Sequence, residues 1–190
     1  MTRPLIFLTH AEVAVDPDVP VPGWGLSESG RARHHRFSID PALKDITAIY
    51  SSAERKACEG AAIHGEALGL VPVVVSALHE NDRSATGYLP AEEFEATADA
   101  FFAAADSSVR GWETARAAEA RIVAALRTVG ELDATGGGLL IVSHGAVGAL
   151  MRCHLKGREI SRDEDQPAGG GCWYATDTRL EQAPQNWRRI

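Results

Sequence analysis

The chain has 190 residues, 45% of them hydrophobic and 24% charged, a composition that suits one globular domain with a sizeable core. Nineteen Lys+Arg against 26 Asp+Glu give a net charge of −7, which argues against a broad nucleic-acid-binding face but leaves room for a pocket with a few local cations. Cys58, Cys153 and Cys172 are odd in number and far apart with no C-x-x-C pair, so they point to reduced thiols rather than a zinc knuckle or a disulfide framework.

Residues 4–9 (PLIFLT) form a compact apolar run, the size of a buried strand. From Val13 to Gly25 three prolines and two glycines mark a loop. Ser27 then suits the N-cap of a helix reaching about Phe37. Residues 46–50 (ITAIY) read as a second strand and lead through Ser51-Ser52 into a helix over about 53–68, where both serines are candidate caps. Residues 71–75 (VPVVV) read as a third strand, followed by the polar segment LHENDRSATGYLP. Two long helices follow, one carrying Phe94, Ala98, Phe101 and Ala105, the other running from Trp112 to Val129. A strand at 139–143 (LLIVS) opens into a helix at His144-Gly145, and 172–177 (CWYATD) reads as a last strand. Alternating strands and helices predict a three-layer α/β/α sandwich with a mainly parallel central sheet. We expect a single domain over 1–190 with a helical lobe around 90–130. No run approaches the roughly 18 apolar residues of a membrane span, and a cytoplasmic location is expected.

Ligands of open α/β sheets bind beyond the carboxyl ends of the strands. Here those ends carry Thr9-His10, Ser51-Ser52 with Arg55 and Lys56 beyond them, His79-Glu80 with Asp82 and Arg83, and Ser143-His144. Two imidazoles, a carboxylate and several cations on one edge suit phosphoryl transfer. A neutral imidazole is a nucleophile, surrounding donors and cations hold the transferred anion, and a carboxylic acid protonates the leaving oxygen. Asp82 rivals Glu80 for that last role. His34, His35, His64, His79 and His154 lack partners at metal-ligand spacing and read as structural, and Trp24, Trp112, Trp173 and Trp187 read as packing.

The order of these pieces resembles the histidine phosphatase (phosphoglycerate-mutase-like) superfamily. That family's Arg-His-Gly after the first strand has its counterpart in LTHAEV (8–13), and its Leu-Thr-Glu-x-Gly in GLSESG (25–30). Its Ser-Ser-x-x-x-Arg-Ala corresponds to YSSAERKACEGA (50–61), its Leu-x-Glu to LHE (78–80), and its late Ser/Thr-His-Gly to LLIVSHGAVGAL (139–150). The resemblance implies the phosphoglycerate-mutase-like fold, with His10 as nucleophile, Glu80 as general acid and His144 as a second donor to the phosphoryl group. Three departures stand out. Thr9 replaces the arginine before the nucleophile, Ala11 replaces the glycine after it, and a gapless match places Lys56, with Arg55 adjacent, where the second pocket arginine belongs.

These readings converge on a phosphomonoester hydrolase that works through a phosphohistidine on a small phosphorylated molecule. Thr9, Arg55, Lys56 and Arg83 are the candidates around the phosphate. No metal or organic cofactor, nucleic acid or membrane partner is expected. A phosphomutase and a catalytically degenerate phospholigand-binding domain are the alternatives. The hydrolase reading requires the two imidazoles to lie across one anion-sized hollow.

Overall fold

The computed structural model describes residues 2–190; Met1, included in the expected domain, lies outside them. Six strands form one sheet: β1 (Pro4–Thr9), β2 (Ile46–Ser51), β3 (Val73–Val74), β4 (Gly138–Ser143), β5 (Cys172–Asp177) and β6 (Arg188–Arg189), in the order β3-β2-β4-β1-β5-β6. The four strands from β3 to β1 pair in parallel; β5 and β6 run antiparallel on the far edge. The helices are α1 (Glu28–Phe37), α2 (Arg55–Leu68), α3 (Ala91–Ala103), α4 (Ala115–Leu132) and α5 (Gly145–Leu155). This is a three-layer α/β/α sandwich.

The period-2 alternation of strand side chains divides the core in two. Leu5, Phe7, Leu139 and Ile141 face one layer with α4 and α5. Ile6, Leu8, Leu140 and Val142 face the other, against Phe37 of α1 and Ala57 and Ala61 of α2. Both faces are covered, which is why β1 and β4 are apolar up to their last residues, Thr9 and Ser143. Local chemistry sets the helix ends. The Ser27 hydroxyl accepts the Gly30 N–H at 3.1 Å to cap α1, and Thr114 does the same for Ala117 in α4. Among the described residues no helix is long and apolar enough to cross a membrane.

Two expectations need correction. The third strand shrinks from 71–75 to two residues, because Val73 and Val74 lie on the sheet edge with half their surface exposed. Trp112 sits before α4 rather than inside it, its indole N–H donating to the Thr86 hydroxyl at 2.8 Å. The C-terminus packs: Trp187 meets Tyr174 edge to face with ring centres 4.8 Å apart, and β6 pairs with β5.

Candidate active site

His10 follows β1 directly. Its backbone N–H donates to Ser143 of β4 at 3.1 Å, and its carbonyl accepts the Gly171 N–H at 2.7 Å. The imidazole is therefore fixed from both sides at the carboxyl end of the sheet. Its Nδ1 lies 2.9 Å from the Ala11 carbonyl, which only a protonated Nδ1 can satisfy. That tautomer leaves the lone pair on Nε2. Burial, then the nearby Lys56 charge, pulls the pKa of His10 down to about 4, so the ring is neutral at physiological pH.

His144 starts α5, wholly buried, with its ring centre 5.2 Å from that of His10 at an interplanar angle of 67°. The expected arrangement across one hollow is thereby corrected: the two imidazoles lie together at the carboxyl end of the sheet but edge to face, and of the two it is His10 that lines the cavity, so the phosphoryl group is to be sought over His10 and not between two flanking rings. His144 Nε2 meets the Ser52 hydroxyl at 2.8 Å and Glu54 Oε1 at 3.3 Å, while its Nδ1 has no partner among the described residues. Burial, opposed by Glu54, holds its pKa well below the ordinary value. Ser52 therefore belongs to the site. Glu54 occupies the cap position of α2, and its own N–H donates to the Ser52 hydroxyl at 3.2 Å.

Glu54 was not among the sequence candidates, yet three of them converge on it. It pairs with Lys56 and His144, and its Oε1 accepts the Glu80 N–H at 3.0 Å. Burial works against its charge, but His144 and Lys56 hold it ionised, with a pKa of about 2. Lys56 is the dependable cation of the two, since His144 is itself neutral. Lys56 is buried, with Nζ also donating to the Val21 carbonyl at 3.0 Å.

Glu80 is buried where the third strand gives way to the loop. Its carboxylate accepts the N–H groups of Ala146 at 3.1 Å and Val147 at 3.0 Å, in the first turn of α5, and of Asn81 at 3.2 Å. Arg83 Nη2 lies 3.3 Å from Glu80 Oε2. The positive end of α5, which could have faced an anion directly, instead holds this carboxylate.

A cavity of about 980 Å³ opens over these groups, with His10, Lys56, Glu80 and Arg83 in its lining. Two of the sequence candidates are not brought there. Arg55, one residue and about 100° of helix from Lys56, points outward and pairs with Glu59 at 2.8 Å. Thr9 is fully buried; its hydroxyl bonds Gln166 Oε1 at 2.5 Å and accepts the Cys172 N–H at 2.9 Å. Asp82, the rival acid, is exposed and tied to the Ser84 N–H at 2.8 Å. Three cavity residues went unread in the sequence. Asn81 has a buried Nδ2 with no partner among the described residues. Gln166 sits against both Thr9 and Gly145, where a Cβ would come within 2.4 Å of its Nε2. Asp165 is raised in pKa by burial and by the charge of Glu80.

Buried His34 and His64 form a pair behind His10. The Ala11 N–H donates to His34 Nε2 at 3.2 Å, so His34 Nδ1 carries the proton that reaches His64 Nε2 at 3.1 Å. Burial, and for His34 also its neighbour His64, lowers the two to about 2 and about 4.

The family model described as the histidine phosphatase superfamily (branch 1) matches residues 6–187, nearly the whole chain. The chain belongs to the histidine phosphatase superfamily. No curated protein matches it in sequence. Among solved structures it is similar to a mycobacterial hydrolase, with a TM-score of 0.77 at 21% identity, covering 99% of this chain and 89% of that one. It also resembles mycobacterial glucosyl-3-phosphoglycerate phosphatase in complex with inorganic phosphate (TM-score 0.75, 22% identity, 98% and 94% coverage). Bacillus stearothermophilus YhfR is a third (TM-score 0.74, 20% identity, 91% and 90% coverage). At these identities the neighbours share the phosphoglycerate-mutase-like fold; the superfamily model supplies the membership.

Proposed function

We propose that this chain hydrolyses a phosphomonoester through a phosphohistidine on His10. The observation that carries the reading is the His10 tautomer, fixed by the Ala11 carbonyl, at a cavity lined by Lys56 and Arg83. His10 Nε2 attacks phosphorus as the ester P–O bond breaks, and Glu80, which takes up a proton when the phosphoryl group draws Arg83 away from its carboxylate, gives that proton to the leaving oxygen. Water then attacks the phosphohistidine, the P–N bond breaks, and Glu80 recovers a proton from that water. Lys56, Arg83 and the free N–H of Asn81 hold the equatorial oxygens, and His144 can donate from Nδ1 once it takes up a proton, with Glu54 as counter-charge. Asp165, raised in pKa and in the same cavity, is the alternative proton donor.

One observation favours a second reading, a phospholigand-binding domain without turnover. Glu54 already compensates Lys56, and Gln166, which is uncharged, lies beside Thr9. Hydrolysis of an aryl phosphate in the presence of a chelator separates the two. The phosphatase turns over without added metal, and His10→Ala loses at least about 10³-fold in kcat. Phosphate binding without any turnover by the unsubstituted protein would favour the binding domain.

A further inference from the structure

The cavity over His10 is far larger than a phosphoryl group needs. At about 980 Å³ it matches the volumes that enclose whole small molecules, so most of it must receive the leaving group. Its walls are apolar and aromatic. Trp24 and Tyr88 stand with ring centres 5.7 Å apart on one side. Phe94 and Trp112 form another wall, with the Arg83 guanidinium 5.1 Å and 5.5 Å from their ring centres. That stacking aims Arg83 while leaving flat hydrocarbon in the lining.

The charges around the cavity are unfavourable to a second anion. Its cations are Lys56, Arg83 and Arg162, and its carboxylates are Glu80, Glu95, Asp99, Asp163 and Asp165. Each cation already faces a carboxylate. Lys56 pairs with Glu54, Arg83 lies beside Glu80, and Arg162 bridges Glu95, Asp99 at 2.5 Å and Asp165 at 3.7 Å. Asp163 is exposed and has no cationic partner among the described residues. The phosphoryl group can recruit Lys56 and Arg83, but an additional carboxylate or phosphate would meet only excess negative charge.

We infer that the substrate is the monophosphate of a bulky, uncharged alcohol or phenol with an apolar or aromatic face, and not a bisphosphate or a phosphorylated carboxylic acid. The inference rests on the phosphatase reading for its orientation: phosphate at His10, leaving group against Tyr88 and Phe94. Trp24 and Tyr88 offer one aromatic wall to such a leaving group, and Val15 and Val21 extend the apolar surface.

Binding tests this without requiring turnover. Calorimetric titration with methylphosphonate, benzylphosphonate, 1-naphthylmethylphosphonate and 4-carboxybenzylphosphonate compares size and charge on one non-hydrolysable head group. Affinity should rise at least tenfold from methyl to naphthylmethyl and fall at least tenfold when the carboxylate is added to the benzyl ligand. Tyr88→Ala should remove most of the naphthylmethyl gain, and Asp163→Arg, at an exposed position, should narrow the penalty on the carboxylate. Equal affinity for methyl and naphthylmethyl, or tighter binding of the carboxylated ligand, would overturn the inference. Tight naphthylmethylphosphonate binding with no hydrolysis of 1-naphthyl phosphate would instead remove the phosphatase reading and leave the ligand class standing.

Discussion

His10, His34 and His64 share an unusual condition: each is enclosed in the fold and neutral, with its pKa brought down to about 4, about 2 and about 4. In the unfolded chain each returns to an ordinary value near 6.5. Below that pH the unfolded state binds protons that the folded state refuses. Stability is therefore complete above about pH 6.5 and is lost as pH falls toward 4, by about 1.4 kcal/mol per pH unit for each such group. Urea unfolding at pH 7 and pH 5.5 should show this loss. His34→Gln keeps an acceptor for the Ala11 N–H and removes one titrating ring, so it should shrink the loss by about 1 kcal/mol. An unchanged loss would mean that His34 is not held neutral. The sequence marks His34 and His64 only as lacking metal partners. Their pairing depends on α1 and α2 lying side by side, which no local pattern encodes. The same limit applies to Arg55 and Lys56. Adjacent helical residues differ by about 100°, and the phase of α2 is fixed by the burial of Ala57 and Ala61 rather than by the charges themselves.

β1, β2, β4 and α1 were legible because apolar runs end at strong signals, such as Ser27 ahead of α1 and three glycines around the start of β4. The third strand misled because a valine-rich run looks the same at a sheet edge as in a core. β6 left no signal, being two arginines that pair with β5. The segment from Arg162 to Gly171 shows no site signal in the sequence, yet it supplies Asp165 and Gln166 to the cavity and locks the His10 backbone. Gly170 is the critical position in it. Its φ is +62°, and a Cβ there would fall 2.6 Å from the His10 carbonyl oxygen. Gly170→Ala should cost about 2 kcal/mol or more, from the left-handed backbone and the clash together, and should lower kcat by displacing His10. Denaturant unfolding and initial rates would check both, and wild-type values for each would show that the loop can move aside freely.

At the level of the whole molecule, the order of five short motifs pointed to one sheet edge for His10, Glu80, His144 and the Arg55–Lys56 pair, without choosing between the two cations. Each follows a strand of one sheet, and parallel order brings those ends to one edge. What the motifs could not carry was the electrostatic company: Glu54 between His144 and Lys56, Asn81 with its free N–H, and an acidic, aromatic cavity around them. The claim on which the account turns is a covalent bond from phosphorus to His10. Rapid mixing with an aryl phosphate, an alkaline quench and mass spectrometry of the digested chain test it directly. The account predicts a base-stable, acid-labile phosphoryl group on the His10 peptide, formed as fast as the first alcohol is released and absent from His10→Ala. Phosphoryl label on another residue, or steady turnover that His10→Ala leaves intact, would contradict it.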